Sequence, residues 1–232
     1  MTTESKFFEK NGYLYIKSFV SKKITSDMKK HAEMLSKKKY RNYLNFHFHK
    51  SFKKFFISNK FLKTVDLVMK HRMVPVGSVF FFSKPKNELD KGSVWHTDTS
   101  TVKSNFGSYL TVAIILDDAN KQNGCLQLIP GSHFFKKKFL QKSNYFFDKK
   151  GKMIGSNKVG NTAIFNKKYL KKKIFINCKE GDAIFIHDNL LHKADKNKHP
   201  KKWRRVMYYH FIKDGEPFWP GWNARRNLID RP

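Results

Sequence analysis

The sequence predicts a mainly β protein of the sandwich or barrel kind with flanking helices, and three observations lead there. Beyond Pro75, short β-prone runs follow one another between turn signals: Val76–Phe82, Tyr109–Leu116, Cys125–Ile129, Ala183–His187 and Trp203–Ile212. Helical periodicity is confined to the residues before them. The chain has 232 residues without an internal repeat or a composition break, a length at which all-β sandwiches and barrels stay undivided. Hydrophobic residues make up 40% and Phe alone occurs 23 times, so a packed interior rather than disorder is the default.

In order, residues 7–36 read helix, strand, helix. Asn11-Gly12 is a turn signal, Tyr13–Ile16 a short strand, and Ser21 a cap for a helix with Ile24, Met28 and Leu35 on one stripe. Residues 37–60 are basic and aromatic without a clear period, and 61–71 are helical through Leu62, Val65, Val68 and Met69. The first β run ends at Lys84-Pro85, residues 86–93 form a loop, and Val94-Trp95-His96 opens a strand. Asp117–Gly124 and Pro130–Ser132 are turns, and 134–172 is a Lys-rich insertion and candidate lid. Ile174–Asn177 and the turn Lys179–Asp182 lead into the last two strands. The expected layout is one domain over 1–232, with a helical region over 1–72, a β core over 73–212 carrying the insertion, and a tail over 213–232 that holds Trp219 and Trp222.

A formal net charge of +30 would ordinarily suggest nucleic acid. Here Lys greatly exceeds Arg and is spread along the chain beside abundant Asn, Phe and Ile, the residues an AT-rich genome encodes. Phosphate forks favour Arg, so nucleic acid is not the expected partner, although attraction to anionic small molecules is. The two cysteines, Cys125 and Cys178, form no CxxC pair and no disulfide framework, which fits a reducing compartment. The polar start Met1–Lys6 has no apolar signal core, and no window is apolar enough to span a bilayer. A cytoplasmic location without membrane insertion is expected.

The sharpest chemical signal is Trp95-His96-Thr97-Asp98. Residues i and i+2 of a strand share a face, so His96 and Asp98 can reach one metal ion. His192, past the strand Ala183–His187, is the third candidate, and His187 is its competitor. Two imidazoles and a carboxylate on one face of iron(II) leave positions open for a cosubstrate, O₂ or water.

These residues stand in a longer ordered series. His96-Thr97-Asp98 is followed by Asp117-Asp118-Ala119, then Asn123-Gly124-Cys125-Leu126-Gln127-Leu128-Ile129-Pro130-Gly131-Ser132-His133, then Gly181-Asp182-Ala183-Ile184-Phe185, His192 and Arg204. The series resembles the phytanoyl-CoA dioxygenase family of iron(II)/2-oxoglutarate oxygenases over roughly residues 7–212, and Phe8–Tyr13 fits it too. The resemblance implies a double-stranded β-helix (a cupin-like jelly roll), with iron(II), 2-oxoglutarate and O₂ as cofactor and cosubstrates. It implies hydroxylation of a C–H bond in a small molecule, with release of succinate and CO₂. Arg204 matches the family position that holds the far carboxylate of 2-oxoglutarate, a task suited to a two-pronged guanidinium. Arg205 points to the opposite face of the same strand. Where family members often carry Gly-Ser after the distal histidine, this chain has Lys193-Ala194, so Thr111 or Tyr208 is expected to supply the missing 2-oxoglutarate contact. An aspartate rather than a glycine or alanine in the His-x-Asp triplet favours hydroxylation over halogenation.

Phe80, Phe82 and Trp95 are candidate substrate-pocket residues because they lie on or beside strands near the triplet. His133 is expected to stabilise its turn. Two rival readings remain: a nucleic-acid-directed oxidative demethylase, which carries a second arginine where this chain has His210, and a non-catalytic basic binding module.

Overall fold

The computed structural model describes residues 2–36, 43–44, 50–83, 85, 92–100, 104–140, 145–147, 153–156, 162–217 and 228–231. Most of the loop 86–93 and the tail residues Trp219 and Trp222 lie outside them.

The N-terminal region supplies helices α1 (Thr3–Asn11), α2 (Lys22–Ser36), α3 (Lys50–Phe56) and α4 (Asn59–Met69), with strands β1 (Tyr13–Ile16) and β2 (Tyr43–Leu44) between them. Helix α1 starts where the Thr2 hydroxyl accepts the Ser5 amide at 3.2 Å and stops at Gly12, whose φ of 76° suits a residue without Cβ. Helix α4 follows from its stripe, burying Phe61, Leu62, Val65, Val68 and Met69 on one face. Residues 50–56 are helical although their basic, aromatic texture shows no period, because Phe52 and Phe56, four apart, anchor that turn in the core.

The β region runs through β3 (Met73–Ser83), β4 (Tyr109–Ile115), β5 (Leu126–Leu128), β6 (Lys138–Leu140), β7 (Tyr145–Phe147), β8 (Met153–Ser156), β9 (Thr162–Ile164), β10 (Ile174–Phe175), β11 (Ala183–His187), β12 (His192–Ala194) and β13 (Arg204–Lys213). The large sheet has the order β1-β11-β4-β13-β3-β2, and the small one β10-β5-β12. Strand β3 extends through Pro75, which faces Phe211 where the pairing with β13 shifts register. A residue without an amide proton is tolerated at such an irregularity.

The chain alternates between the two sheets, with β4 in the large one, β5 and β10 in the small one, β11 in the large, β12 in the small and β13 in the large. This is the double-stranded β-helix, flanked by helices on one side. Phe8, Met28, Phe52, Phe56, Phe61 and Val65 pack on the outer face of the large sheet against Phe80, Val112, Phe185, Tyr209 and Phe211. Its inner face packs on the small sheet through Ala113, Ile115, Leu128, Ile184, Ile186 and Val206. The two-residue period of β4, β11 and β13 thus serves two cores at once, which is why these strands read as unbroken apolar runs.

Asp182 ties the N-terminal region to this body. Its carboxylate accepts from the Tyr15 hydroxyl, from the Ser18 amide at 2.9 Å and from the Lys179 amide at 2.7 Å. In the 134–172 stretch, β6 pairs with β9 and β7 with β8, and Ala163, Phe165, Tyr169 and Leu170 pack on Ile129, Leu191 and Trp95 outside the small sheet. No helix among the described residues is long and apolar enough to cross a membrane.

Candidate metal centre

The segment after Ser93 forms no extended strand. His96 makes a single antiparallel bridge to His192, and Asp98 opens a short 3-10 turn over residues 98–100. The expected strand through Val94–His96 is therefore reduced to one rung. That rung is sufficient: the His96 amide donates to the His192 carbonyl at 3.1 Å and the His192 amide to the His96 carbonyl at 3.0 Å. A directly opposed cross-strand pair brings the two rings together, with centroids 4.3 Å apart and planes tilted by 51°.

The ring nitrogens are sorted by local backbone. His96 Nδ1 lies 2.7 Å from the Val94 carbonyl, and His192 Nδ1 lies 3.0 Å from the Leu190 carbonyl. A carbonyl only accepts, so each Nδ1 carries the proton and each Nε2 keeps its lone pair for a metal. Asp98 Oδ1 lies 3.8 Å from His192 Nε2, and donor atoms of His96, Asp98 and His192 all lie within 4.8 Å of one another. Burial, then the neighbouring His192, lowers the His96 pKa to about 4, so its ring is neutral near pH 7. Burial pushes Asp98 upward, but His192, His96 and the Thr111 hydroxyl outweigh it and leave the carboxyl below its ordinary value. Two imidazoles and one carboxylate on one side of a cavity are a donor set that suits iron(II).

The Pro-Gly-Ser-His element explains how the distal ligand is held. Ser132 Oγ accepts the Leu191 amide at 2.9 Å, and Asn189 Nδ2 donates to the His133 carbonyl at 3.1 Å, on either side of Leu190. His133 Nε2 donates to the Glu9 carbonyl at 3.0 Å, linking this turn to α1. Burial, followed by the neighbouring His187, lowers the His133 pKa to about 4. His96 and His133 are thus neutral when folded down to about pH 4 and take up protons near 6.5 when unfolded. The unfolded state binds more protons across that window, so acid favours it. Thermal melts of the metal-free protein should show Tm falling as pH drops from 6.5 to 4; a flat or rising Tm contradicts these assignments.

The cavity at the triad has a volume of about 220 Å³ and is lined by Val79, Phe81, Leu126, Ala194, Tyr208 and His210 beside the three donor side chains. Leu126 and Tyr208 also line a side pocket of about 10 Å³ that ends at Arg204. Arg204 is 2% exposed. Its Nη2 reaches only the Asp195 carbonyl, at 3.4 Å, its face lies 5.5 Å from the Phe81 ring, and its Nε has no hydrogen-bond partner. A buried cation costs several kcal/mol unless an anion meets it, and no carboxylate among the described residues pairs with this one. Arg205 is already satisfied, with Nε and Nη2 on Asp117 at 2.7 and 2.6 Å and Nη1 on Glu33. The Asn123-Gly124 pair supports Arg204 from below. Asn123 Nδ2 donates to the Asp118 and Trp203 carbonyls at 2.8 and 3.2 Å, pinning the start of β13. A Cβ on Gly124 would lie 2.2 Å from the Asp195 carbonyl oxygen, so only glycine admits the loop that faces Arg204.

Other expected site residues lie elsewhere. Phe80 and Phe82 point to the helix-covered face, and their neighbours Val79 and Phe81 line the cavity instead. Three consecutive phenylalanines leave a two-residue period with no way to choose a face. Trp95 turns away from the triad because His96 turns toward it, and it packs edge-on to Phe165 with centroids 6.1 Å apart. Thr111 is in the cavity, but its hydroxyl meets Asp98 Oδ2 at 2.6 Å, which engages the proton it would need for 2-oxoglutarate. Tyr208 stays beside the path to Arg204, with its phenol pKa raised by burial. His187 is excluded as a ligand by alternation: Ile184 and Ile186 face inward, and His187 faces Phe8 and Phe106 across the sheet. His210 is a lining residue that its sequence position alone did not single out for this site; it lies opposite Thr111 in the β4–β13 ladder.

The family model described as phytanoyl-CoA dioxygenase (PhyH) matches residues 8–206. A phytanoyl-CoA dioxygenase domain-containing protein 1 homolog of Caenorhabditis briggsae is 28% identical over 178 residues, covering 73% of this chain and 57% of the relative. A phytanoyl-CoA dioxygenase of Arabidopsis thaliana is 28% identical over 183 residues, covering 78% and 57%. The chain spans about half the length of the curated relatives it matches. Among solved structures, the non-heme alpha ketoglutarate dependent carbocyclase SnoK from nogalamycin biosynthesis superposes with a TM-score of 0.74 at 16% identity, covering 96% of this chain and 88% of that one. EctD from S. alaskensis with bound Fe gives a TM-score of 0.73 at 14% identity, covering 100% and 88%. At such identities the likeness is one of fold.

Proposed function

The chain belongs to the phytanoyl-CoA dioxygenase family, and from that premise we propose that it is an iron(II)- and 2-oxoglutarate-dependent dioxygenase that hydroxylates a C–H bond of a small molecule. The observation that carries the reading is a buried guanidinium, Arg204, which has no carboxylate partner among the described residues and lines a small pocket that shares Leu126 and Tyr208 with the cavity of His96, Asp98 and His192. His96 and His192 present Nε2 and Asp98 presents Oδ1 to iron(II). Arg204 would hold the far carboxylate of 2-oxoglutarate, and Leu126 and Tyr208 line both the triad cavity and the pocket beside Arg204. When bound, the metal and cosubstrate supply oxidative decarboxylation with O₂, releasing succinate and CO₂. Val79, Phe81, Leu126 and Ala194 form apolar walls that keep water from the reacting centre. No lysine among the described residues lines this cavity.

Anaerobic titration with iron(II) and 2-oxoglutarate tests the reading. A weak visible charge-transfer band should appear only with both added and should saturate at one equivalent. Failure of the band to appear, or its appearance without 2-oxoglutarate, overturns the proposal.

A further inference from the structure

Thr111 sits at the centre of β4 and pairs across the ladder with His210 of β13, so both side chains point inward from adjacent strands at one level. Thr111 Oγ1 lies 2.6 Å from Asp98 Oδ2 and 3.1 Å from His210 Nδ1. The His210 ring stacks on Tyr109, with centroids 5.7 Å apart and an interplanar angle of 21°. A hydroxyl has one proton, and an ionised carboxylate only accepts. Thr111 therefore donates to Asp98, and its lone pair accepts from His210 Nδ1–H. His210 in its Nδ1–H form donates to that lone pair and leaves the Thr111 proton for Asp98.

We propose that Thr111 is a positioning residue for the metal site, with His210 setting the direction of its hydroxyl, so that Asp98 Oδ2 is held back and Oδ1 alone is offered to the metal. The proposal rests on the iron-site reading above. Asp98 leaves the only rung of its segment and enters a short 3-10 turn, so its backbone does not fix the carboxylate plane. The Thr111 hydroxyl supplies that restraint from a rigid central strand. A monodentate carboxylate keeps a coordination position open for the cosubstrate or O₂; a bidentate one would fill it.

Cobalt(II) titration, read by its d–d absorption, measures this without turnover. Thr111→Val, nearly isosteric but without the hydroxyl, should weaken Kd by roughly 10- to 100-fold and shift the d–d bands. Thr111→Ser, which keeps the hydroxyl, should restore the parental spectrum. His210→Phe retains a ring over Tyr109 and should produce a smaller loss. The double variant Thr111→Val/His210→Phe should bind no more weakly than Thr111→Val alone, because both changes act through one hydroxyl. Parental Kd and spectrum in Thr111→Val, or strictly additive losses, overturn the proposal. His192→Ala separates the two levels: if the parent binds cobalt and His192→Ala does not, the metal site stands whatever Thr111 does. If the parent itself fails to bind, the iron-site reading falls and this one with it.

Discussion

Replacing His192 with alanine should abolish iron-dependent succinate release. In structural zinc sites with four ligands the apparent binding free energy is about 10–16 kcal/mol, so one ligand is worth roughly 2.5–4 kcal/mol, or about two to three decades in metal affinity. At iron concentrations that saturate the parent, the variant should therefore lose turnover by about 100-fold or more, because most of it carries no metal. The fold should survive. The His192 backbone pairs with His96 and Leu128 whatever the side chain, and Ser132 still receives the Leu191 amide. Metal titration with a melt of the apo protein checks both halves. A variant that keeps parental affinity and turnover would remove His192 from the site. The contrasting substitution His187→Ala alters a ring on the opposite face of the sheet, against Phe8 and Phe106. It should leave metal affinity within about threefold of the parent, since residues on opposite faces couple weakly.

The second large effect is expected at Arg204. Replacing it with methionine keeps much of the buried volume and removes the two-pronged cation. A single hydrogen bond to a charged group is worth about 1.5–3 kcal/mol, so KM for 2-oxoglutarate should rise by at least roughly 10- to 150-fold. Arg204→Lys should fall between, because an ammonium cannot reproduce the planar fork. The informative control is 2-oxobutyrate, which has the keto acid end without the distal carboxylate. Its weak activity should be unchanged or improved in Arg204→Met, since the variant no longer buries an unpaired charge. If KM for 2-oxoglutarate stays at the parental value, or activity with both keto acids falls equally, Arg204 does not bind that carboxylate. The variant should also be no less stable than the parent, because a buried cation without an anion is replaced by an apolar chain.

Strand positions could be read closely from composition. Tyr13–Ile16, Tyr109–Leu116 and Ala183–His187 appear within a residue of their expected limits because β-branched and aromatic runs between turn residues are a local property. The segment Val94–His96 departs because its length is set by partners. It makes one isolated bridge, to His192, and its other backbone hydrogen bonds, such as Ala163 N–H to the Trp95 carbonyl, build no ladder among the described residues. The face of Phe80, the side taken by Trp95 and the engagement of Thr111 with Asp98 were equally hidden. Each depends on which strand lies across the barrel, and no local period encodes that. The choice between Arg204 and Arg205 falls between the two cases. Alternation says that only one can face the cavity. That it is Arg204 follows from Asp117 and Glu33, which come from elsewhere in the chain to hold Arg205 outside.

The amino-acid sequence by itself determined the kind of fold, the family and the order of the residues able to hold a metal, because turn residues, strand periods and motif spacing are written along the chain. Tertiary structure alone decided that His96 and His192 are paired, that Arg204 is buried with no carboxylate partner among the described residues, and that the Thr111 hydroxyl lies between His210 and Asp98. The physical reason is that these are properties of register between strands distant in sequence. A shift of one residue in β4 would preserve every local pattern and turn Thr111 to the other face of the sheet, and a shift in β13 would do the same to Arg204 and His210.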